Sequence, residues 1–321
     1  MPYTFSPDEA VKDSLRRCSV EQLDRALQEL TDSVKADPVV AVHGARKALK
    51  KERSLLRLGR SAIKPSARRR QNARVRDAAR RLSGARDADV VISALADISD
   101  RYVGQIPATT VDAVRERVES QRDMTRHSLE ASGVIGEVVD ELRLAYTKAE
   151  ALQLRGGGWR VVGAGLQRSY GRGRRAMERA QKSPTVANLH DWRKRAKDLW
   201  YHLRLLRPSA PHTLSGHINE AHALSDLLGD LHDLDMLRVT LGKLAPALAN
   251  DLGPLVALVE HRRAALREEA GFVGARLYAE TPKAFTARIH RYWKIARAQA
   301  QADASHDAAQ LAATTRHAPV L

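Results

Sequence analysis

Two segments of this chain are copies of one helical face. His43-Gly44-Ala45-Arg46-Lys47-Ala48-Leu49-Lys50 and His190-Asp191-Trp192-Arg193-Lys194-Arg195-Ala196-Lys197 both read His-x-x-Arg-Lys-x-x-Lys. Positions i, i+3, i+4 and i+7 lie on one side of an α-helix. Each copy therefore carries a column of cations headed by a histidine. Like charges at that spacing repel and weaken a helix, so two such columns imply an anionic partner that neutralises them.

A second pair of motifs keeps the same offset. Leu82-Ser83-Gly84-Ala85-Arg86-Asp87-Ala88-Asp89 matches Leu228-Gly229-Asp230-Leu231-His232-Asp233-Leu234-Asp235, with offsets of 190 − 43 = 147 at the histidine and 233 − 87 = 146 at the aspartate. Two ordered motifs at one offset describe a tandem duplication. The expectation is two similar all-α halves joined near Gly156-Gly157-Gly158, about 6–154 and 157–300, with a flexible tail over 301–321.

Composition agrees with helix. Aromatic residues are 4% of the chain, and Ala, Leu and Arg outnumber the β-formers. Start and stop signals predict helices from Ser6-Pro7 to about residue 30, from Asp37-Pro38 to about 60, and from Pro65 to about 82. Further helices are expected at about 86–97, from Pro107, and at about 135–154. The second half repeats the pattern at about 159–181, 183–206, 213–228, 231–248, 254–278 and 282–300. The acids after the glycines, Asp87/Asp89 and Asp233/Asp235, read as helix starts.

Formal charge is 54 − 38 = +16, a statement about partners rather than fold. Nucleic acid, an anionic membrane surface and polyphosphate all suit it. There is one cysteine, Cys18, so no intrachain disulfide forms, which fits a reducing cytoplasm. The first residues carry no secretory pattern, and no apolar run approaches the ~20 residues that span a bilayer, so no membrane insertion is expected.

On a helical wheel, His190, Arg193, Lys194, Lys197, Tyr201 and Arg204 share a polar front, opposite Leu189, Trp192, Ala196, Leu199 and Leu203. The first copy repeats the front with His43, Arg46, Lys47, Lys50 and Arg57. From His43 to Arg57 the stripe is about 21 Å long, enough for several successive phosphates. Dense arginines supply more candidate contacts: Arg74, Arg81 and Arg86 in the first half, Arg168, Arg172 and Arg175 after the glycine run. The guanidinium fork grips phosphate oxygens bidentately.

A metal reading of His190-Asp191 and His232-Asp233 fails to extend to both halves. Gly44 follows the first histidine and Arg86 replaces His232, and a cation cannot replace a ligand. No resident metal or cofactor is expected, and no G-x-x-x-x-G-K-[ST] loop is present.

The two His-x-x-Arg-Lys-x-x-Lys helices, the Leu-[Ser/Gly]-x-x-[Arg/His]-Asp-x-Asp turns, their duplication and the Gly-Leu-x-Arg-x-Tyr-x-Arg-Gly-Arg stretch (Gly165 to Arg174) together resemble the CHAD family, named for a conserved histidine α-helical domain. The resemblance covers about 6–300. It implies two pseudo-symmetric four-helix bundles with basic helices lining a central cleft. It also implies binding of inorganic polyphosphate and, in some members, association with polyphosphate granules. Carried over by position, the binding set is His43, Arg46, Lys47, Lys50, His190, Arg193, Lys194 and Lys197. The Glu-x-Glu-x-Lys strand of the CYTH triphosphatase domain that some relatives carry is absent from these residues, so the resemblance implies no catalytic domain. The reading is a cytoplasmic, non-enzymatic polyphosphate-binding protein. Its alternatives are a nucleic-acid-binding protein, against which scarce aromatics count, and a metal-dependent polyphosphate phosphohydrolase.

Overall fold

A computed structural model describes residues 3–82, 87–131, 133–248 and 252–316. Among them are eleven α-helices and no strand, with one isolated antiparallel bridge between Ile63 and Leu154.

Four helices close the first bundle: α1 (Val11–Thr31), α2 (Pro38–Leu58), α3 (Pro65–Arg81) and α6 (Val134–Glu150). They pack in the cyclic order α1, α2, α3, α6. α2 starts where the sequence predicts. The Asp37 carboxylate accepts from the amides of Val39 and Val40 at 3.0 Å each, and Pro38 sits where no donor is needed. Leu23, Leu30, Leu49, Val75, Val138 and Leu142 form the core, with Ala26, Ala45, Ala78 and Ala145 where helices approach. Each fully buried leucine contributes about 1.5–3 kcal/mol over leaving it exposed.

The start of α1 differs from expectation. Ser6 donates to Asp8 instead of capping a helix, and Glu9 is held by Arg17 at 2.7 Å and Ser14 at 2.5 Å. The segment before α1 instead reaches the second half. The Phe5 amide donates to the Leu205 carbonyl at 2.8 Å, and Tyr3 stands edge-on to Tyr201.

The second half contains α7 (Gly163–Lys182), α8 (Val186–Leu206), α9 (Pro211–Leu244), α10 (Gly253–Leu277) and α11 (Pro282–Arg316). Its core holds Trp192, Leu199, Leu203, Leu224, Leu266, Phe285 and Trp293. The pair α4 (Asp87–Arg101) and α5 (Ala108–Ala131) belongs to the first half by sequence but packs on α9. Its Val91, Leu95, Ile98, Val114 and Val118 join the core of the second half.

One predicted break is not a break. The helices expected at 213–228 and 231–248 are one 34-residue helix, α9. Gly229 lies inside it, with the Arg193 guanidinium over the position its side chain would take (3.4 Å to Nη2). A mid-helix glycine costs about 1 kcal/mol, and the packed helix absorbs it. Asp233 and Asp235 are therefore interior residues of α9, not helix starts; Asp235 is buried and pairs with Arg263 of α10 at 2.5 Å. In the first half the corresponding motif runs into α4, which starts at Asp87 as the sequence predicts; residues 83–86 before it are outside the described set. At the other end of the chain, α11 continues beyond residue 300 to Arg316.

Gly165 sets how closely the two halves meet. A Cβ there would collide with the Leu58 carbonyl at the end of α2. Gly216, on an exposed stretch of α9, has nothing within 4 Å of the same position. Thermal melts of Gly165→Ala should show a loss of about 2 kcal/mol from forced separation, while Gly216→Ala should be neutral or stabilising. Equal melting temperatures for the two variants would contradict this account of the junction.

Candidate functional site

Where α2, α3, α7 and α8 converge, a recess of about 290 Å³ is lined by seven arginines and one carboxylate. α2 contributes Arg53 and Arg57 and the short turn after it Arg60, spaced i, i+4, i+7. α3 contributes Arg68 and Asn72, α7 Arg168, Ser169 and Arg172, and α8 Arg195 and Asp198. Gly165 and Ser169 lie on the same face of α7 as Arg168 and Arg172, so small residues admit the neighbouring helix while long ones reach the recess.

Asp198 is the hub. Its carboxylate takes Arg57 at 2.9 Å and Arg195 at 3.6 Å, and Arg195 also pairs with Asp191 at 2.8 Å. Backbone contacts lock the same crossing. The buried His202 donates Nε2–H to the Ser54 carbonyl at 2.9 Å, and the Ser54 hydroxyl donates to the Asp198 carbonyl at 3.5 Å. Arg53 donates to Asn72 at 3.3 Å. None of Arg60, Arg68, Arg168 and Arg172 has an ion-pair partner among the described residues. Burial, then the neighbouring Arg57, pushes Arg53 down to about 10. Burial and adjacent guanidiniums also lower Arg60 and Arg172. All three remain cationic at neutral pH, in a field that an anion would relieve.

The predicted columns divide around this recess. His43 and Lys47 are exposed on α2, with Arg46 and Lys50 half-buried beside them. Arg46 donates to the Leu82 carbonyl at 3.2 Å and so fastens the end of α3. One turn beyond Lys50 the stripe enters the recess at Arg53 and Arg57. On α8, Lys194 lies near Arg53 and Arg57, and burial is the first cause of its lowered pKa. His190 and Arg193 turn instead to α9: the His190 ring stacks on His232 with centroids 4.7 Å apart, and Arg193 covers Gly229. Lys197 and Arg204 lie over the Trp200 ring at 5.8 and 5.1 Å.

Other predicted residues are elsewhere. Tyr201, expected on the polar front, is instead in the core, 2% exposed, stacked on Trp200 and edge-on to Tyr3; that part of the front becomes interior because α2, α7 and α9 all pack on α8. Arg74 and Arg81 are tied to α6 through Glu141 at 3.1 Å and Glu137 at 3.4 Å, away from the recess. Arg175 is exposed on α7, and Arg86 lies outside the described residues. Arg57, Arg168, Arg172 and Lys194 are the predicted residues that line or adjoin the recess. Arg53, Arg60, Arg68 and Arg195 were not in the predicted set. Continuing the α2 column by i+3 and i+4 beyond Lys50 reaches the first two, but Arg195 is recognisable only from the helix crossing.

The chain belongs to the CHAD domain family, whose profile matches residues 20–242. Members of that family are polyphosphate-associated. Two solved structures share the fold. PptA from Streptomyces chartreusis superposes with a TM-score of 0.54 at 13% identity, covering 85% of this chain and 100% of its own. The CHAD domain from the plant Ricinus communis superposes with a TM-score of 0.51 at 19% identity, covering 89% of this chain and 94% of its own. No curated protein matches the sequence. No helix among the described residues is long and apolar enough to cross a membrane.

Burial, then Lys194, His232 and Arg193, holds the His190 imidazole down at about 4. The folded value is below the unfolded one, so the folded state disfavours the imidazolium. Stability from this group is intact above pH ~6.5 and declines as pH falls from there toward 4. An NMR titration of the free protein should therefore place the His190 midpoint near 4; a midpoint near 6.5 would contradict its burial against His232.

Proposed function

We propose that this protein binds inorganic polyphosphate in the arginine-lined recess and along the α2 column that leads into it, without turning it over. One observation carries the reading: seven guanidinium groups converge around a single carboxylate that two of them already engage. The surplus charge requires an anion of several charges, and a fork of N–H donors suits phosphate oxygens. The lysines and histidine outside the recess, Lys47, Lys50 and His43, extend the contact along a linear chain.

The shape of the recess favours a thin, flexible polyanion. A cavity of about 290 Å³ cannot admit a duplex, whose major groove alone is about 12 Å wide. Non-specific single-strand binding uses stacking platforms, and no aromatic side chain among the described residues lines the recess. Among the described residues there is no group of three or more His, Cys, Asp or Glu side chains placed to hold a metal ion, and Asp198 is committed to arginines. These features support binding over metal-assisted hydrolysis. The protein's place in the cell, on this reading, is the cytoplasm, at polyphosphate granules.

The test is competition. Labelled long-chain polyphosphate is bound at near-physiological salt and challenged with duplex DNA, RNA and inorganic phosphate, with Mg²⁺, Mn²⁺ or Zn²⁺ in parallel samples. Unlabelled polyphosphate should displace the label at least tenfold more effectively per phosphate than DNA, a gap of about 1.4 kcal/mol, and no phosphate should be released. Equal displacement by DNA would favour the nucleic-acid reading; metal-dependent phosphate release would favour the phosphohydrolase.

A further inference from the structure

A second recess opens in the first bundle, between α1, α2, α3 and the loop after α6. Its volume, about 630 Å³, is within the range of small-molecule sites, roughly 300–1,000 Å³. It shares no lining residue with the arginine recess, which uses other faces of α2 and α3.

Its lining is of two kinds. Lys64, Arg70, Lys148 and Arg155 are exposed and form a cationic rim. Arg74 also lines it but is taken by Glu141. The floor holds Ser19, Glu52 and Gln71, at 3%, 0% and 4% exposure. Gln71 donates Nε2–H to the Ala145 carbonyl at 2.7 Å, which leaves Oε1 as its free end. That oxygen has no hydrogen-bond partner, and the Ser19 hydroxyl and the Glu52 carboxyl have only a loose contact with each other. Buried polar groups are normally satisfied, and each exception asks for an explanation. Burial pushes Glu52 up to about 8, against the opposing pull of the Ser19 hydroxyl. At neutral pH it is mainly a carboxylic acid, able to donate one hydrogen bond and accept others.

We propose that this recess binds a small phosphorylated sugar or polyol, its phosphate on the rim cations and its hydroxyls on Glu52, Gln71 and Ser19. The two linings select between simpler ligands. A bare phosphate leaves the floor unsatisfied. A neutral sugar leaves the rim unused. A polyphosphate chain brings no hydroxyl donor for Gln71 Oε1. The inference is independent of polyphosphate binding, since the residues of the two sites do not overlap.

The experiment is isothermal titration calorimetry of the full chain at near-physiological salt. Three probes are used, glucose 6-phosphate, glycerol 3-phosphate and myo-inositol 1-phosphate, beside glucose and inorganic phosphate alone. At least one phosphorylated probe should bind saturably, one per chain, about tenfold or more tighter than its unphosphorylated or bare-phosphate counterpart. The exposed rim variant Lys148→Glu/Arg155→Glu should lose about tenfold or more of that affinity. Glu52→Leu removes a buried, incompletely paired carboxyl and so keeps the fold, confirmed by its melting temperature; it should lose affinity similarly. Arg168→Glu, in the other recess, should bind the probe as wild type does. Failure of all three probes, inorganic phosphate binding as tightly as they do, or wild-type affinity in the rim variant would each overturn the proposal. Loss of probe binding in Arg168→Glu would overturn it as well, by placing the probe in the arginine recess.

Discussion

Seven guanidinium groups do not gather by themselves; their mutual repulsion has to be held by something behind them. In this chain the restraint is the crossing of α2 and α8. Asp198 holds Arg57 and Arg195, while His202 and Ser54 close the backbone contacts beneath. The crossing is braced on both sides by apolar packing, Leu55 and Leu58 of α2 with Leu199, Leu203 and Leu206 of α8 in one core cluster. Gly165 lets α7 close on the end of α2 and bring Arg168 and Arg172 to the same recess. One carboxylate and one missing Cβ thus determine where the positive charge converges. A buried ion pair of this sort adds less to stability than to geometry, because desolvation offsets most of its Coulombic gain.

The helical class and much of the element order were legible because they depend on local chemistry. Asp37-Pro38 and Pro65 carry their own start signals, and α2 and α3 begin there. The basic stripe on α2 follows from its i, i+3, i+4 spacing, and it leads into the recess. What could not be read locally is what packs on what. Gly229 resembles a break, yet α9 runs through it because Arg193 and the surrounding core cover that position. Tyr201 lies on the polar face by spacing, but α8 is packed on several sides, and that part of the face becomes interior. Arg74 and Arg81 belong to a dense arginine run, but Glu141 and Glu137 on a helix some sixty residues later claim them. Repeated motifs likewise do not guarantee repeated surroundings: His190 stacks on His232, whereas position 86 is an arginine.

The two recesses lie on different faces of α2 and α3. On one side of α2, cations outnumber acids and no aromatic platform is offered, which suits a polymer of phosphates. On the other, a cationic rim surrounds a floor of buried, incompletely paired polar groups, which suits a molecule with both a phosphate and hydroxyls. Both arise from the same packing constraint. The buried face of α2 is apolar apart from Lys51, Glu52 and Ser54, and the cations on its other positions point toward solvent or the junction.

The most direct measurement is the salt dependence of polyphosphate affinity in wild type and in the Arg168→Gln/Arg172→Gln variant. Each phosphate contact to a flexible chain contributes about −0.7 to the slope of log K against log salt. If the recess holds the polymer, the double variant should bind more weakly and its slope should be shallower by about 1.4. An unchanged slope in the folded variant would show that the polymer is held elsewhere and would contradict the account.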